Sequence, residues 1–439
     1  MFNFFYRLQV GCVLLTLIVG QGMAEEIKYS LNGRIMDTSD NWLPDVRVAL
    51  KSAGVVTYTD GNGLFALSFT NAKPLSVDNK AVYDRLELDK EGHQGRTIEI
   101  KDLAFFDKPL VEKLEPNVVG EDNVGFSTRM TTAHSIHGLS RALGSPEPGQ
   151  PISAEDFQRV LARFESRKTD GVPTERAWFH AYVPKNVKKL KAVFLISRHG
   201  MGTIDHPELR KFADEQSIAL VGVLGHSVQC GRYPVSLLDK HLKKLAGMVN
   251  HPELVTVPVF TFGHSNGTGF ATIYPSQRPD RVIAWISYHS GWSWHLQFPG
   301  VEKVPGLVMH GHKDIWLDHG QEQTVKDLRC LRNAPVAMML EGNVGHGPVN
   351  TAATWAFIIE FCKAAMRIRL DEDGQLRPVV IEQGWLGANY DRAKGGQQEL
   401  AIASYSQYTG DRAIANWLPD RQFAEGWQLY GKTNPRSKK

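Results

Sequence analysis

Gly263-His264-Ser265-Asn266-Gly267 is the stretch of this sequence best suited to covalent chemistry. The serine stands between two glycines, G-x-S-x-G, after the apolar run Val257-Pro-Val-Phe-Thr-Phe262 and before a helix-forming segment. Such a passage from strand to helix would set Ser265 on a sharp, strained turn at the sheet's edge. Side chains at 263 and 267 would then clash with neighbouring backbone. The N–H groups and dipole at the start of the helix would favour a developing oxyanion beside the serine. The plain alternative is an ordinary glycine-rich turn.

A nucleophilic serine needs a base, and the base needs an acid to orient it. Downstream, Gly306-Leu-Val-Met-His310-Gly311-His312-Lys313-Asp314 reads as a strand followed by a turn carrying an acid. After the next strand, Glu341-Gly-Asn-Val-Gly345-His346-Gly347-Pro348 places a histidine between glycines that permit close approach. Ser265, Asp314 and His346 thus each fall at the end of a strand, in that order along the chain. Asp318 and Glu302 are rival acids further from the expected strand end, and His310, His312 and His319 are rival bases crowding the acid turn. Tyr288-His-Ser-Gly-Trp292-Ser-Trp294-His295 follows the strand after the nucleophile's helix, and Trp316 lies two residues past Asp314. Trp292, Trp294, Trp316 and His199 are the expected substrate-binding residues. Aromatic faces at a cleft can stack on a sugar or an aromatic acyl group, with core or rim packing as the equal alternative.

Positioning these groups takes a sheet. Apolar runs at 178–183, 192–197, 219–224, 257–262, 282–287, 306–310 and 336–340 read as strands, several of them continuous, as in a parallel sheet covered on both faces. Helical patterns at 206–216, 235–249, 267–276, 320–333 and 351–369 alternate with them, which predicts a doubly wound α/β domain over 172–370. Residues 371–439, polar and carrying Trp385, Trp417 and Trp427, read as an extension packed on that domain, with one short helix around 420–429. Upstream, 25–114 shows short alternating segments and turns, which predicts a small antiparallel β-sandwich. Asp60-Gly-Asn-Gly63 suits a tight hairpin better than a calcium loop, since the spaced acids and closing Glu are missing. Residues 115–171 read as an extended linker; His134 and His137 there have helical zinc spacing but no cysteine partners nearby. At the start, Arg7, the apolar run 10–20 and Gly22-Met-Ala24 predict a signal peptide over 1–24, too short to span a bilayer.

Two resemblances follow. Gly33-Arg-Ile-Met-Asp37, Leu43-Pro-Asp-Val-Arg-Val48 and Thr57-Tyr-Thr-Asp-Gly-Asn-Gly-Leu-Phe65 resemble the carboxypeptidase regulatory-like (transthyretin-like) β-sandwich. That resemblance implies a non-catalytic appended module. The serine turn and the order Ser265, Asp314, His346 resemble the α/β-hydrolase superfamily over about residues 172–369. It implies that Asn266 supplies one oxyanion N–H. Arg198-His199-Gly200-Met201-Gly202 resembles the H-G-G-G loop of lipases and esterases, which implies Met201, then Gly200, for the second. Export and the short loop between the acid and base strands give a likeness to feruloyl and acetylxylan esterases and polyhydroxyalkanoate depolymerases.

The expected activity is therefore ester hydrolysis through an acyl-enzyme, on acetyl or feruloyl groups of a polysaccharide, in a secreted or periplasmic protein. A small-ester or polyester carboxylesterase, a prolyl-type peptidase and a non-catalytic glycan-binding protein are the alternatives. Fifty Lys+Arg against 47 Asp+Glu, a net charge of +3, leave no basic footprint for nucleic acid. No P-loop or dinucleotide fingerprint is visible, and no metal or organic cofactor is expected. Four cysteines are too few for a disulfide scaffold. Once Cys12 leaves with the signal, Cys330 and Cys362 are the pair to consider, against three buried free thiols.

Overall fold

The computed structural model describes residues 27–37, 40–50, 53–71, 84–90, 96–100, 109–114, 123–131, 155, 174–197, 204–224, 235–291, 293–347, 351–394 and 397–433. The signal peptide, His134, His137 and Cys230 lie outside them. The chain divides into two compact units, Met1–Val118 and Val119–Lys439.

The first unit holds β1 (Ile27–Asp37), β2 (Arg47–Leu50), β3 (Val55–Tyr58), β4 (Leu64–Asn71), β5 (Asp84–Asp89), β6 (Arg96–Ile100) and β7 (Leu110–Leu114). They form two sheets, ordered β4-β1-β7 and β3-β2-β5-β6. Alternate residues turn inward, Leu31 and Ile35 on β1 and Phe65, Leu67 and Phe69 on β4. These share one apolar cluster with Val48, Leu50, Leu86, Leu88 and Ile100 of the other sheet. Pairing is antiparallel as expected, except that β7 runs parallel to β1. The Asp60 carboxylate accepts from the amides of Asn62 (2.8 Å) and Leu64 (2.9 Å) and so holds its own turn. The strands on either side belong to different sheets, so this turn carries the chain between layers and is not the hairpin expected from its sequence.

The second unit is built on an eight-stranded sheet. Its strands are β8 (Asn123–Thr131), β9 (Thr174–Tyr182), β10 (Ala192–Ser197), β11 (Ile218–Leu224), β12 (Val259–His264), β13 (Val282–Tyr288), β14 (Gly306–Gly311) and β15 (Val336–Glu341). Their order is β15-β14-β13-β12-β10-β11-β9-β8. From β11 to β15 every pair is parallel, while β9 pairs antiparallel with β11 and with β8. The stretch read as a linker therefore contributes an edge strand, β8. Its sequence, Asn-Val-Gly-Phe-Ser-Thr-Arg-Met-Thr, does carry Val124, Phe126 and Met130 on alternate positions, a short strand signal inside an otherwise polar stretch.

Among the described residues, five helices cover the sheet: α1 (Pro207–Gln216), α2 (Val235–Val249), α3 (Thr268–Gln277), α4 (Gln321–Arg332) and α5 (Ala352–Arg369). All six residues are buried in each of β10, β12, β14 and β15, the mark of strands covered on both faces. Alternation sorts them into two cores. Val193, Leu195, Val308 and Met338 face α2, α3 and α4; Phe194, Ile196, Phe262, Met309 and Met339 face α1 and α5. This is the α/β-hydrolase architecture, a doubly wound and mostly parallel sheet; the first unit is separately all-β.

The extension adds β16 (Trp385–Gly387), β17 (Ile402–Ser404), β18 (Asn416–Leu418) and α6 (Arg421–Thr433). It closes the sheet's other edge. On β15 the Met338 amide donates to Asn416 Oδ1 (2.7 Å), and its carbonyl accepts from Trp427 Nε1 (3.1 Å). Side chains thus stand in for a ninth strand and leave that part of the ladder paired. The buried Arg329 guanidinium of α4 donates to the carbonyls of Ala415 (2.8 Å) and Arg412 (3.2 Å) and fixes the approach of β18.

Cys330 and Cys362 are both free, which corrects the pairing considered above. Cys330 is exposed on α4, whose buried side chains join the core on one face of the sheet. Cys362 is buried on α5, within the core on the other face. The sheet separates them, and burial pushes the Cys362 thiol up, so it stays protonated.

Candidate active site

The serine turn forms because three backbones meet where only glycine fits. A Cβ on Gly263 would stand 2.0 Å from the Gly267 carbonyl oxygen, and one on Gly267 would stand 2.0 Å from that of Ser197 on β10. The chain leaves β12 at His264, places Ser265 at φ +56°, passes through a single 3-10 turn, Ser265–Gly267, and enters α3. A left-handed serine is strained by about 1–3 kcal/mol, held here by the packed strand and helix on either side. Thr268, wholly buried, locks the turn: its hydroxyl donates to the Ser265 carbonyl (2.7 Å) and lies 2.8 Å from Ser290 Oγ.

Asp314 follows β14 and His346 follows β15, the second and third strands after the β12 that carries the serine. The two loops that carry them are tied backbone to backbone, the His312 amide to the Glu341 carbonyl and the Lys313 amide to that of Val344, both at 2.9 Å. Gly311 makes this approach possible, since a Cβ there would lie 2.2 Å from the Val344 oxygen. Gly311→Ala is expected to part the loops. A displacement of about 1 Å costs on the order of 100-fold, so kcat should fall by about that factor in a protein whose circular dichroism is unchanged.

The structure brings the three predicted residues together. His346 Nε2 lies 2.9 Å from Ser265 Oγ, and its Nδ1 lies 2.9 Å from Asp314 Oδ2. Asp314 also accepts the Trp316 amide on Oδ1 (3.0 Å). Burial alone would raise the Asp314 carboxyl, but the hydrogen bonds from His346 and the Trp316 amide and the nearby imidazoles outweigh it and hold it below the usual carboxylate range. An ionised carboxylate only accepts, so His346 Nδ1 carries the proton and Nε2 is left to accept from the serine hydroxyl. The His346 ring stacks on His264 at 5.7 Å and keeps a 30% exposed side chain, open to an incoming group.

The rivals sit elsewhere. Asp318 is exposed and paired with Arg392 at 2.7 Å, and Glu302 accepts the Gly300 amide at 2.7 Å. His310 is buried, and burial first, with the charge of His289, pulls it down to about 4, so its ring is neutral at pH 7. Its Nε2–H donates to the Ser290 carbonyl (2.9 Å), which leaves Nδ1 unprotonated beside Asp314. The His312 imidazole lies near the Glu322 carboxylate on α4, and the His319 side chain is outside the described residues.

Asn266 follows the serine in the first helical turn, where backbone N–H groups point outward. Met201, Gly200, His199 and Trp292 lie outside the described residues. Trp294 opens the 3-10 turn Trp294–Gln297; its side chain is not described. Trp316 is placed beside Asp314, with its ring 3.9 Å from where a Cβ on Gly291 would stand.

Two buried residues behind the acid carry weight that their sequence context does not announce. His289 Nδ1 is 3.4 Å from Asp314 Oδ2, and its Nε2 is 3.0 Å from Glu341 Oε2. The available signal was an ionisable residue closing the apolar strand Val-Ala-Met-Met-Leu-Glu. His289, Asp314 and His346 also offer ligand atoms within 4.8 Å of one another, a spacing open to a divalent cation. Such an ion would compete with the His346–Asp314 hydrogen bond.

No protein-family model matches this chain, and no curated protein matches it in sequence. Solved structures do match. S-formylglutathione hydrolase of Staphylococcus aureus is 13% identical, with 44% of this chain and 92% of that one covered and a TM-score of 0.31. The mouse alpha/beta hydrolase domain-containing protein 10 is 13% identical, with 44% and 94% covered and a TM-score of 0.30. A poly(3-hydroxybutyrate) depolymerase of Bordetella parapertussis is 15% identical, with 48% and 88% covered and a TM-score of 0.31. The chain's structural neighbours are thus α/β hydrolases, esterases among them.

Proposed function

We propose that this chain is an exported serine hydrolase that cleaves carboxylic esters through an acyl-enzyme, with acyl groups on a polysaccharide as its substrates. The observation that carries the reading is the hydrogen-bonded run Ser265 Oγ, His346, Asp314 at 2.9 Å per step, with the serine held left-handed on a glycine-flanked turn.

Chemistry follows from that arrangement. Ser265 Oγ attacks the ester carbonyl as its proton passes to His346 Nε2. Asp314, kept ionised, stabilises the imidazolium and holds its tautomer. The Asn266 amide, with Met201 as the second donor, receives the tetrahedral oxyanion. His346 returns the proton to the leaving alcohol, and the acyl group stays on Ser265. Water then attacks the acyl-serine with His346 as base, and the carboxylic acid departs.

Three further features support the finer reading. The charged start and apolar run of residues 1–24 have the pattern of a secretory leader, which is the basis for reading the protein as exported. The N-terminal sandwich, with its likeness to the carboxypeptidase regulatory-like module, serves as an appended non-catalytic domain. Trp292, Trp294 and Trp316 supply flat faces for sugar rings or an aromatic acyl group, as in feruloyl and acetylxylan esterases. Purified protein, with Ser265→Ala as control, should release acid from acetylated xylan or methyl ferulate faster than it cleaves aminoacyl nitroanilides. Serine-dependent cleavage of the nitroanilides alone would replace ester by amide as the substrate. Activity confined to p-nitrophenyl esters would remove the polysaccharide.

A further inference from the structure

The strand ends that hold the triad also hold a second, fully buried set of polar side chains. Glu341, the last residue of β15, and His289, the first after β13, are both 0% exposed. Burying a carboxylate here is costly unless donors converge on it. They do. Glu341 Oε2 accepts the Tyr288 hydroxyl (2.9 Å) and faces His289 Nε2 (3.0 Å), and its Oε1 accepts the Tyr430 hydroxyl (2.7 Å). Tyr430 comes from α6, in the extension. Burial first, then the Glu341 charge, pushes its hydroxyl up, so it remains a donor at any working pH.

His289 joins this cluster to the catalytic acid. Its other nitrogen lies 3.4 Å from Asp314 Oδ2, at the outer limit of hydrogen-bond distance. The His289 backbone is fixed at φ +50°, with its amide donated to the Met309 carbonyl (2.8 Å). Its ring is clamped between Tyr288 (4.2 Å) and His310 (5.4 Å, planes 2° apart). A ring so held presents one edge to each carboxylate. His310 cannot substitute for it, since its own N–H goes to Ser290. The titratable groups facing the pair are Asp314 and His310 from β14 and its turn, Tyr288 from β13, and His264 from β12. His346 faces it from the base loop, Tyr390 from the extension, and Tyr430 from α6.

We infer that His289 and Glu341 position Asp314 from behind, and that Tyr430 makes the C-terminal extension part of the catalytic apparatus. The sequence Ser265, His346, Asp314, His289, Glu341, Tyr430 runs from the nucleophile to residues 371–439 in contacts of 3.4 Å or less. His289, Glu341 and Tyr430 touch no reacting atom; they act by fixing the carboxylate and by keeping a negative charge behind it. This inference rests on the serine-hydrolase reading above.

The test uses the full chain with Glu341→Gln and Tyr430→Phe, and active sites counted by fluorophosphonate labelling. Glu341→Gln keeps the volume and removes the charge. Its kcat per labelled site should fall about 10- to 100-fold, by analogy with the loss of a residue that orients a metal ligand from behind. Less negative charge near the imidazoles makes protonated His346 less favourable, so the acidic limb of the kcat/KM profile should move to lower pH. Tyr430→Phe removes one hydrogen bond and should lower kcat about 2- to 10-fold. A purely structural role would reduce the number of labelled sites and leave kcat per site and the acidic limb in place. That result overturns the inference, and Tyr430→Phe decides it alone if Glu341→Gln fails to fold. If the unmodified protein takes no label at Ser265, the hydrolase reading falls and this inference with it. If the unmodified protein labels and both variants match it, only the inference falls.

Discussion

Ser265→Ala is expected to lower ester hydrolysis by about 10⁴- to 10⁶-fold, the cost of removing the nucleophile from an intact triad. What remains should be the modest acceleration that an oxyanion site and substrate binding still provide. The fold should survive the change. Alanine meets the same φ of +56° as serine, and the turn is held by Gly263, Gly267 and Thr268, not by the Ser265 side chain. Thermal unfolding read beside activity checks both points. A large fall in stability would mean that lost activity reports a damaged turn and not a missing nucleophile.

Asp314→Asn should cost about 10⁴-fold in kcat, for a different reason. Asp314 accepts from both His346 Nδ1 and the Trp316 amide. An asparagine that keeps the backbone amide on its oxygen turns an NH₂ toward His346. The imidazole must then accept at Nδ1 and carry its proton on Nε2, where it can no longer take one from Ser265. Substrate binding is untouched, so KM should change little while kcat collapses. The pH profile adds a second check. Because Asp314 is held below the usual carboxylate range, it stays ionised as pH falls to 5. The acidic limb of the native enzyme should therefore follow one ionisation, and not that of Asp314. A limb of slope two would place a second titrating acid in the site.

The sheet was legible because buried parallel strands are written as unbroken apolar runs. β10, β12, β14 and β15 stand out on that ground alone. Ser265, Asp314 and His346 were legible because each follows such a run and because glycine marks the places where backbones must meet. β8 was missed although Val124, Phe126 and Met130 alternate along it, because the alternation is short and lies within a polar stretch. The cysteines misled because the helices carrying them flank β15 in sequence yet pack on opposite faces of the sheet, which sequence order does not record. His289 and Glu341 were hidden for a related reason. They lie 52 residues apart, and only the register of β13, β14 and β15 brings them into contact behind Asp314.

The most direct measurement is to react the native protein with a fluorophosphonate, digest it and locate the adduct by mass spectrometry. A single phosphonyl group on the peptide containing Ser265, abolished by His346→Ala, is the predicted result. No adduct in folded protein, or an adduct on another residue, would contradict Ser265 as the nucleophile.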